Sequence, residues 1–148
     1  MFWTILTRVQ LMLQGITNFP TVQIRKRLFH SRDHGDTLPL CILSPANEEM
    51  AAVQFKNSAM WDYSIHIGVY QQIAGAVQSA SELQWMMARR EEIRKTLYVP
   101  KLEGIETVFS VAYQSNPLYP WDVMDNQVEL SVQQITYRVS EGRAYGGG

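Results

Sequence analysis

Residues 29–36, Phe-His-Ser-Arg-Asp-His-Gly-Asp, put two of the chain's three histidines among two aspartates and an arginine. His30, Asp33, His34 and Asp36 are the residue types that ligate metals or carry protons. On a helix, the His30–His34 spacing would place both imidazoles on one face, as in H-E-x-x-H zinc sites. The glutamate of that motif is missing, because Ser31, Arg32 and Asp33 lie between the histidines. Arg32 would also set positive charge beside a cation. Asp-His-Gly-Asp between two apolar runs reads as a turn. A polar loop is therefore the expectation. A small metal-dependent enzyme using His30, His34 and Asp36 is the remote alternative.

Other chemistry is sparse. His66 sits on the less apolar face of an expected strand, where a hydrogen-bonded sheet residue is the simpler reading. Cys41, flanked by Leu40 and Ile42, reads as a small buried hydrophobe, and a single cysteine forms no internal disulfide. The sequence has no phosphate-cradling glycine loop, no G-x-S-x-G elbow and no C-x-x-C.

The elements that would position these residues follow from periodicity. The 148 residues suit one domain with a real core, and 46% apolar with 18% charged content fits a globular chain. Thirteen basic and fourteen acidic residues leave a net charge of −1, which argues against a free-standing nucleic-acid-binding domain. Near the start, Phe2, Ile5, Leu6, Val9, Leu13 and Ile16 recur at spacings of three and four, so an amphipathic helix is expected. The apolar run is broken by Arg8 and Gln10, which suits neither a targeting segment nor a membrane span. Gly15 and Asn18-Phe19-Pro20 supply the stop.

Val22, Ile24, Lys26 and Leu28 then alternate with Gln23, Arg25 and Arg27, as in a half-exposed strand. Residues 38–43 form a short apolar strand that lies at an edge or begins just after Pro39, and 44–49 read as a turn or loop. Residues 61–71 are the clearest strand, with Tyr63, Ile65, Ile67 and Val69 on one face. A helix follows, capped by Ser79 or Ser81 with Glu82 in its first turn, and closed by Pro100. Leu83, Met86, Met87, Arg90, Ile93 and Leu97 form its stripe, and the Met86-Met87 pair with Trp85 reads as core packing.

Residues 105–113 and 128–139 alternate as two further strands. In the last, Val128, Leu130 and Val132 give way to Ile135, Tyr137 and Val139, a change of phase that predicts a bulge or strong twist. Between them, residues 115–126 carry Leu118, Tyr119, Trp121 and Met124 in a proline-rich loop, either folded over the core or forming a subunit interface.

The expected order is α-β-β-β-α-β-β. It describes an α+β domain over residues 1–142, with one mainly antiparallel sheet of four or five strands packed by two helices. Residues 143–148 read as a flexible tail. Arg25, Lys26, Arg27 and Arg32 form one basic cluster and Arg89, Arg90, Arg94 and Lys95 another. Neither interleaves aromatics as single-strand nucleic-acid platforms do, and Glu91 and Glu92 dilute the second.

Taken in order, an I-R-K-R-L-F strand precedes R-D-x-G-D-T-L-P-L-C-I-L-S-P and then D-Y-S-I-H-I-G-V-Y. The helix W-M-M-A-R-R-E-E-I-R-K-T-L and the strand V-E-L-S-V-Q-Q-I-T-Y-R-V-S-E complete the pattern. Over residues 1–142 it resembles small virion proteins of tailed bacteriophages, especially tail terminators and related neck or tail-completion proteins. The resemblance rests on element order and local flavour.

That resemblance implies a structural protein, not an enzyme, with no catalytic residues, metal or cofactor to transfer. It implies a homo-oligomeric ring, usually a hexamer of six copies, in the virion's tail or neck region, assembled in the host cytoplasm. Such a ring caps the tail-tube protein, meets the neck or connector proteins and passes DNA through its lumen without specific binding. It involves no membrane. Under it, Leu118, Tyr119, Trp121, Met124, Arg32 and His34 are the expected subunit or partner contacts, with Tyr119 and Trp121 as anchors. A head-completion or stopper protein and a tail-tube subunit are the alternatives in the same class.

Overall fold

The computed structural model describes residues 1–28, 36–55, 58–99, 101–105, 107–114 and 128–142. Leu118, Tyr119, Trp121, Met124, Arg32, His34 and His30 lie outside the described residues, as does the 143–148 tail.

Helix α1 (Phe2–Gln14) buries Ile5, Leu6, Val9 and Leu13, the stripe expected from its spacing. Each such aliphatic side chain, fully buried, contributes about 1.5–3 kcal/mol of transfer free energy. Gly15 ends the helix, and Asn18 adopts φ of 61°, a left-handed turn that asparagine tolerates. Strand β1 (Thr21–Ile24) follows. It is shorter than the alternation over residues 22–28 suggests, although the Arg25 amide still donates to the Leu43 carbonyl.

Strands β2 (Leu40–Phe55) and β3 (Ser58–Gln72) form a long antiparallel pair. Residues 44–49, expected as a loop, are instead part of β2. Its register shifts between Pro45 and Asn47, between Met50 and Ala52 and between Val53 and Phe55. Bulges of this kind let a strand carry proline and polar residues by bending out of regular pairing.

Helix α2 (Ala80–Leu97) opens with a reciprocal capping box. The Glu82 amide donates to Ser79 Oγ at 3.2 Å, and the Ser79 amide donates to Glu82 Oε1 at 2.9 Å. Strand β4 (Val108–Gln114) and strand β5 (Val128–Gly142) complete the chain. β4 begins later than the alternation from Ile105 predicts, because Leu102 and Ile105 close a small bridge of their own.

The five strands lie in the order β1-β2-β3-β5-β4, an α+β arrangement with the element order read from the sequence. All neighbours are antiparallel except β1 and β2, which run parallel. Parallel neighbours need a long return of the chain, and residues 25–39 make it.

Both helices contribute to one core against the sheet, with Tyr63, Ile65, Ile67, Val69, Ile135 and Tyr137 buried in the same cluster. A smaller cluster of Leu40, Ile42, Tyr70, Val128, Leu130 and Val132 forms apart from it, with Leu28 and Leu38 packed against it. This second core explains the phase change in β5. Of the bulge or strong twist expected, no bulge interrupts the β3–β5 register, which is unbroken from Ser58↔Gly142 to Gln72↔Val128; the one shift beside β5 lies in β4, between Val108 and Ser110. Even-numbered residues stay on one face and odd-numbered ones on the other. What changes along the strand is the face that is covered by apolar side chains. Gly68 makes room for Leu28 there: a side-chain carbon at Gly68 would lie 3.0 Å from Leu28 Cδ2 and 3.2 Å from Leu130 Cδ1.

Candidate functional site

Asp36, the described member of the polar 29–36 segment, is engaged by Arg25. The guanidinium donates from Nη1 to Oδ2 and from Nη2 to Oδ1, both at 2.7 Å. This two-pronged bond raises the Arg25 pKa and fixes the carboxylate by one donor on each oxygen. Among the described residues no group of three or more His, Cys, Asp or Glu side chains is placed to hold a metal ion. His66 shares a hydrogen bond with Gln134 Oε1 at 3.0 Å, as its strand position suggested. Cys41 is buried, and burial pushes its thiol pKa up, away from a reactive thiolate.

The face of the sheet carrying His66 bears a run of cross-strand polar pairs. Arg138 donates to Asp62 at 2.8 and 3.0 Å, Ser64 and Thr136 hydroxyls bond at 2.7 Å, and His66 meets Gln134. These pairs satisfy each other across β3 and β5 and cancel their charge.

A concavity lies between α2 and β4. It is a groove of about 700 Å³ whose lining includes Leu83, Met87, Arg90, Glu91, Arg94 and Tyr113. A neighbouring hollow of about 560 Å³ is lined by Arg94, Lys95, Tyr98 and Tyr113. Sequence spacing assigned Leu83 and Met87 to the buried stripe of α2, but they are 49% and 58% exposed. The buried seam is narrower: Met86, Ile93 and Leu97 point inward. Leu83, Met87 and Arg94 recur at the same helical spacing one residue out of step, and that second stripe was the missed signal. Trp85 is partly buried against the core, with the Arg89 guanidinium 5.1 Å over its ring.

The floor of the groove is pinned to the sheet. Arg90 donates to Ser131 Oγ, and Gln133 Nε2 donates to the Arg90 carbonyl at 3.0 Å and to the Tyr113 hydroxyl. Gln133 is fully buried, so Arg90 and Tyr113 are held before any partner arrives. The rim is cationic. Lys95 Nζ lies 3.0 Å from Glu91 and Arg94 lies 4.0 Å from it, so one carboxylate serves two exposed cations. The hydrogen bond from Lys95, with its charge, lowers the Glu91 pKa.

The two edges of the sheet differ. Along β1, Gln10 Nε2 donates to the Val22 carbonyl at 2.9 Å and the Val22 amide donates to Gln14 Oε1 at 3.2 Å. Helix α1 thus seals that edge with side chains. β4 is the opposite edge strand, and it pairs with β5 alone among the described strands. A further stretch of edge opens on β2, because β1 pairs only with Leu40–Leu43. Beyond it, Glu48, Glu49 and Met50 are exposed. No helix among the described residues is long and apolar enough to cross a membrane.

The chain matches no family model and none of the curated proteins it was compared with.

Proposed function

We propose that the chain is a structural subunit of a tailed-phage virion, a tail terminator that forms a ring on the end of the tail tube and joins it to the neck. The observation that carries this reading is the asymmetry of the sheet. One edge is sealed by Gln10 and Gln14, β4 at the other has no second partner among the described strands, and the exposed stretch of β2 lies away from β4 in the strand order. Unlike surfaces on one chain favour head-to-tail contacts, which propagate as a filament unless rotation closes them into a ring. The order of elements and the strand and helix sequences that resemble phage neck proteins supply the specific class.

In this reading the mechanism is mechanical. One face of the ring meets the last tube ring and stops its growth, while the other receives the connector. DNA passes through the lumen without lasting contact, for which the self-paired Asp62–Arg138, Ser64–Thr136 and His66–Gln134 face is suited, since it offers no unbalanced row of cations to phosphates.

Negative-stain images of the purified protein test the reading. Closed rings are expected. Long filaments would favour a tail-tube subunit, and dispersed single subunits at high concentration would remove the ring. The metal-enzyme reading would have to share Asp36 with Arg25, which donates to both of its oxygens. Metal analysis of the protein with and without His34→Ala completes that comparison, and stoichiometric metal lost in the variant would revive it.

A further inference from the structure

We propose that the α2–β4 groove is the socket for a second copy of this chain, and that the segment it receives is the Glu48–Met50 stretch of β2. This deepens the ring reading and rests on it for closure of the assembly. The socket presents Leu83, Met87 and Tyr113 as an apolar bed, rimmed by Arg94 and Lys95. Its two rim cations share the one carboxylate of Glu91, which leaves an excess of positive charge. The β2 stretch carries the opposite pattern, with Met50 49% exposed beside the exposed Glu48 and Glu49. Met50 is the flexible apolar side chain that fits an irregular apolar bed, Glu48 on the same strand face matches the rim, and Glu49 on the opposite face adds negative charge at the same edge.

The kind of contact also follows. Pro45 and the three register shifts in β2 break the even row of backbone donors and acceptors that sheet extension needs. Joining therefore runs through side chains in the groove rather than through a continued ladder. Socket and insert lie on different parts of the strand order, so each copy offers one of each. Under the ring reading that contact repeats head to tail around the assembly. Because Arg90 and Tyr113 are already held by Ser131 and Gln133, the socket needs little ordering when the insert arrives.

The test uses the full chain with charge reversals at exposed positions. One variant carries Glu48→Lys and Glu49→Lys, the other Arg94→Glu and Lys95→Glu, and assembly is followed by light scattering across protein and salt concentration. Wild type is expected to assemble, and to do so more weakly as salt rises. Each variant alone is expected to associate at least about tenfold more weakly, since like charges then face each other. An equimolar mixture of the two is expected to assemble again, because every contact regains an opposite pair. Circular dichroism verifies folding, and Met87→Gln, which leaves the charges in place, is expected to weaken assembly as well. Rings that form unchanged in both reversal variants would overturn the socket and leave the ring reading standing. A mixture that stays dissociated would overturn the pairing of these two surfaces. Wild type that remains monomeric at all concentrations would overturn both the socket and the ring.

Discussion

The bond between Arg25 and Asp36 offers a quantitative test of what the polar 29–36 segment does. The perturbations are Asp36→Ala, Arg25→Met and the two combined. Both contacts are 2.7 Å, and the side chains are 26% and 9% exposed, so the pair lies between a surface ion pair and a buried one. Exposed pairs are worth about 0.2–1 kcal/mol, whereas stranding one partner of a buried pair costs about 3–5 kcal/mol. Removing Asp36 does not strand Arg25 completely, because its Nε still donates to Gln23 Oε1 at 3.1 Å. About 1.5–3 kcal/mol is therefore expected for Asp36→Ala. Arg25→Met removes the same two contacts and is expected to cost a similar amount, about 1.5–3 kcal/mol. The double-mutant cycle should return a coupling of about 1–3 kcal/mol. In urea, where such domains lose about 1–3 kcal/mol per molar, a loss of 2 kcal/mol moves the midpoint by roughly 1 M. A coupling below about 0.5 kcal/mol would show that the geometry contributes nothing and refute the reasoning.

Further expectations follow from individual contacts. Tyr137 donates to the Leu97 carbonyl at 2.8 Å, but that oxygen also accepts from the Val99 amide, so Tyr137→Phe should cost only about 0.5–1.5 kcal/mol by urea melting. A loss above 3 kcal/mol would mean that the second donor does not compensate. Gly68→Val should cost about 1–3 kcal/mol, because Leu28 and Leu130 occupy the space its side chain needs; a neutral result would show that Leu28 swings away freely. Burial raises the Glu129 carboxyl pKa, so the folded state holds that proton more tightly than the unfolded chain. Stability is then lost as pH rises through the ordinary carboxylate range. Glu129→Gln should raise the melting midpoint at pH 7 and leave it unchanged near pH 3, and the reverse pattern would contradict this sign. Gln10→Ala with Gln14→Ala removes the side chains that seal β1 at Val22, so a loss of about 0.5–1.5 kcal/mol per hydrogen bond and increased aggregation by light scattering are expected; unchanged aggregation would show that the seal does not protect this edge.

Much of the fold was legible because local periodicity reports which residues an element hides. The i, i+3, i+4 set of α1, the Ser79–Glu82 cap of α2 and the Tyr63–Val69 alternation of β3 all appear where spacing put them. The candidate site was less legible. Leu83 and Met87 are apolar at helical spacing, and nothing local distinguishes a residue facing the sheet from one a turn to the side of it. The contacts expected at Leu118, Tyr119, Trp121, Met124, Arg32 and His34 lie outside the described residues, so the groove and the β2 stretch stand independently of them.

By itself, the sequence determined the order of elements, the end of α1, the capped start of α2 and the apolar face of β3, since each depends on near neighbours in the chain; Pro100, expected to close α2, lies outside the described residues. Only the tertiary structure decided that β1 lies parallel to β2, that residues 44–49 are strand and that β5 is covered on different faces along its length. The physical reason is that alternation marks a side chain as apolar without saying what will cover it. In β5, even-numbered Leu130 meets Leu28's cluster and odd-numbered Tyr137 meets the end of α2, two partners far away in the chain that no local pattern could supply.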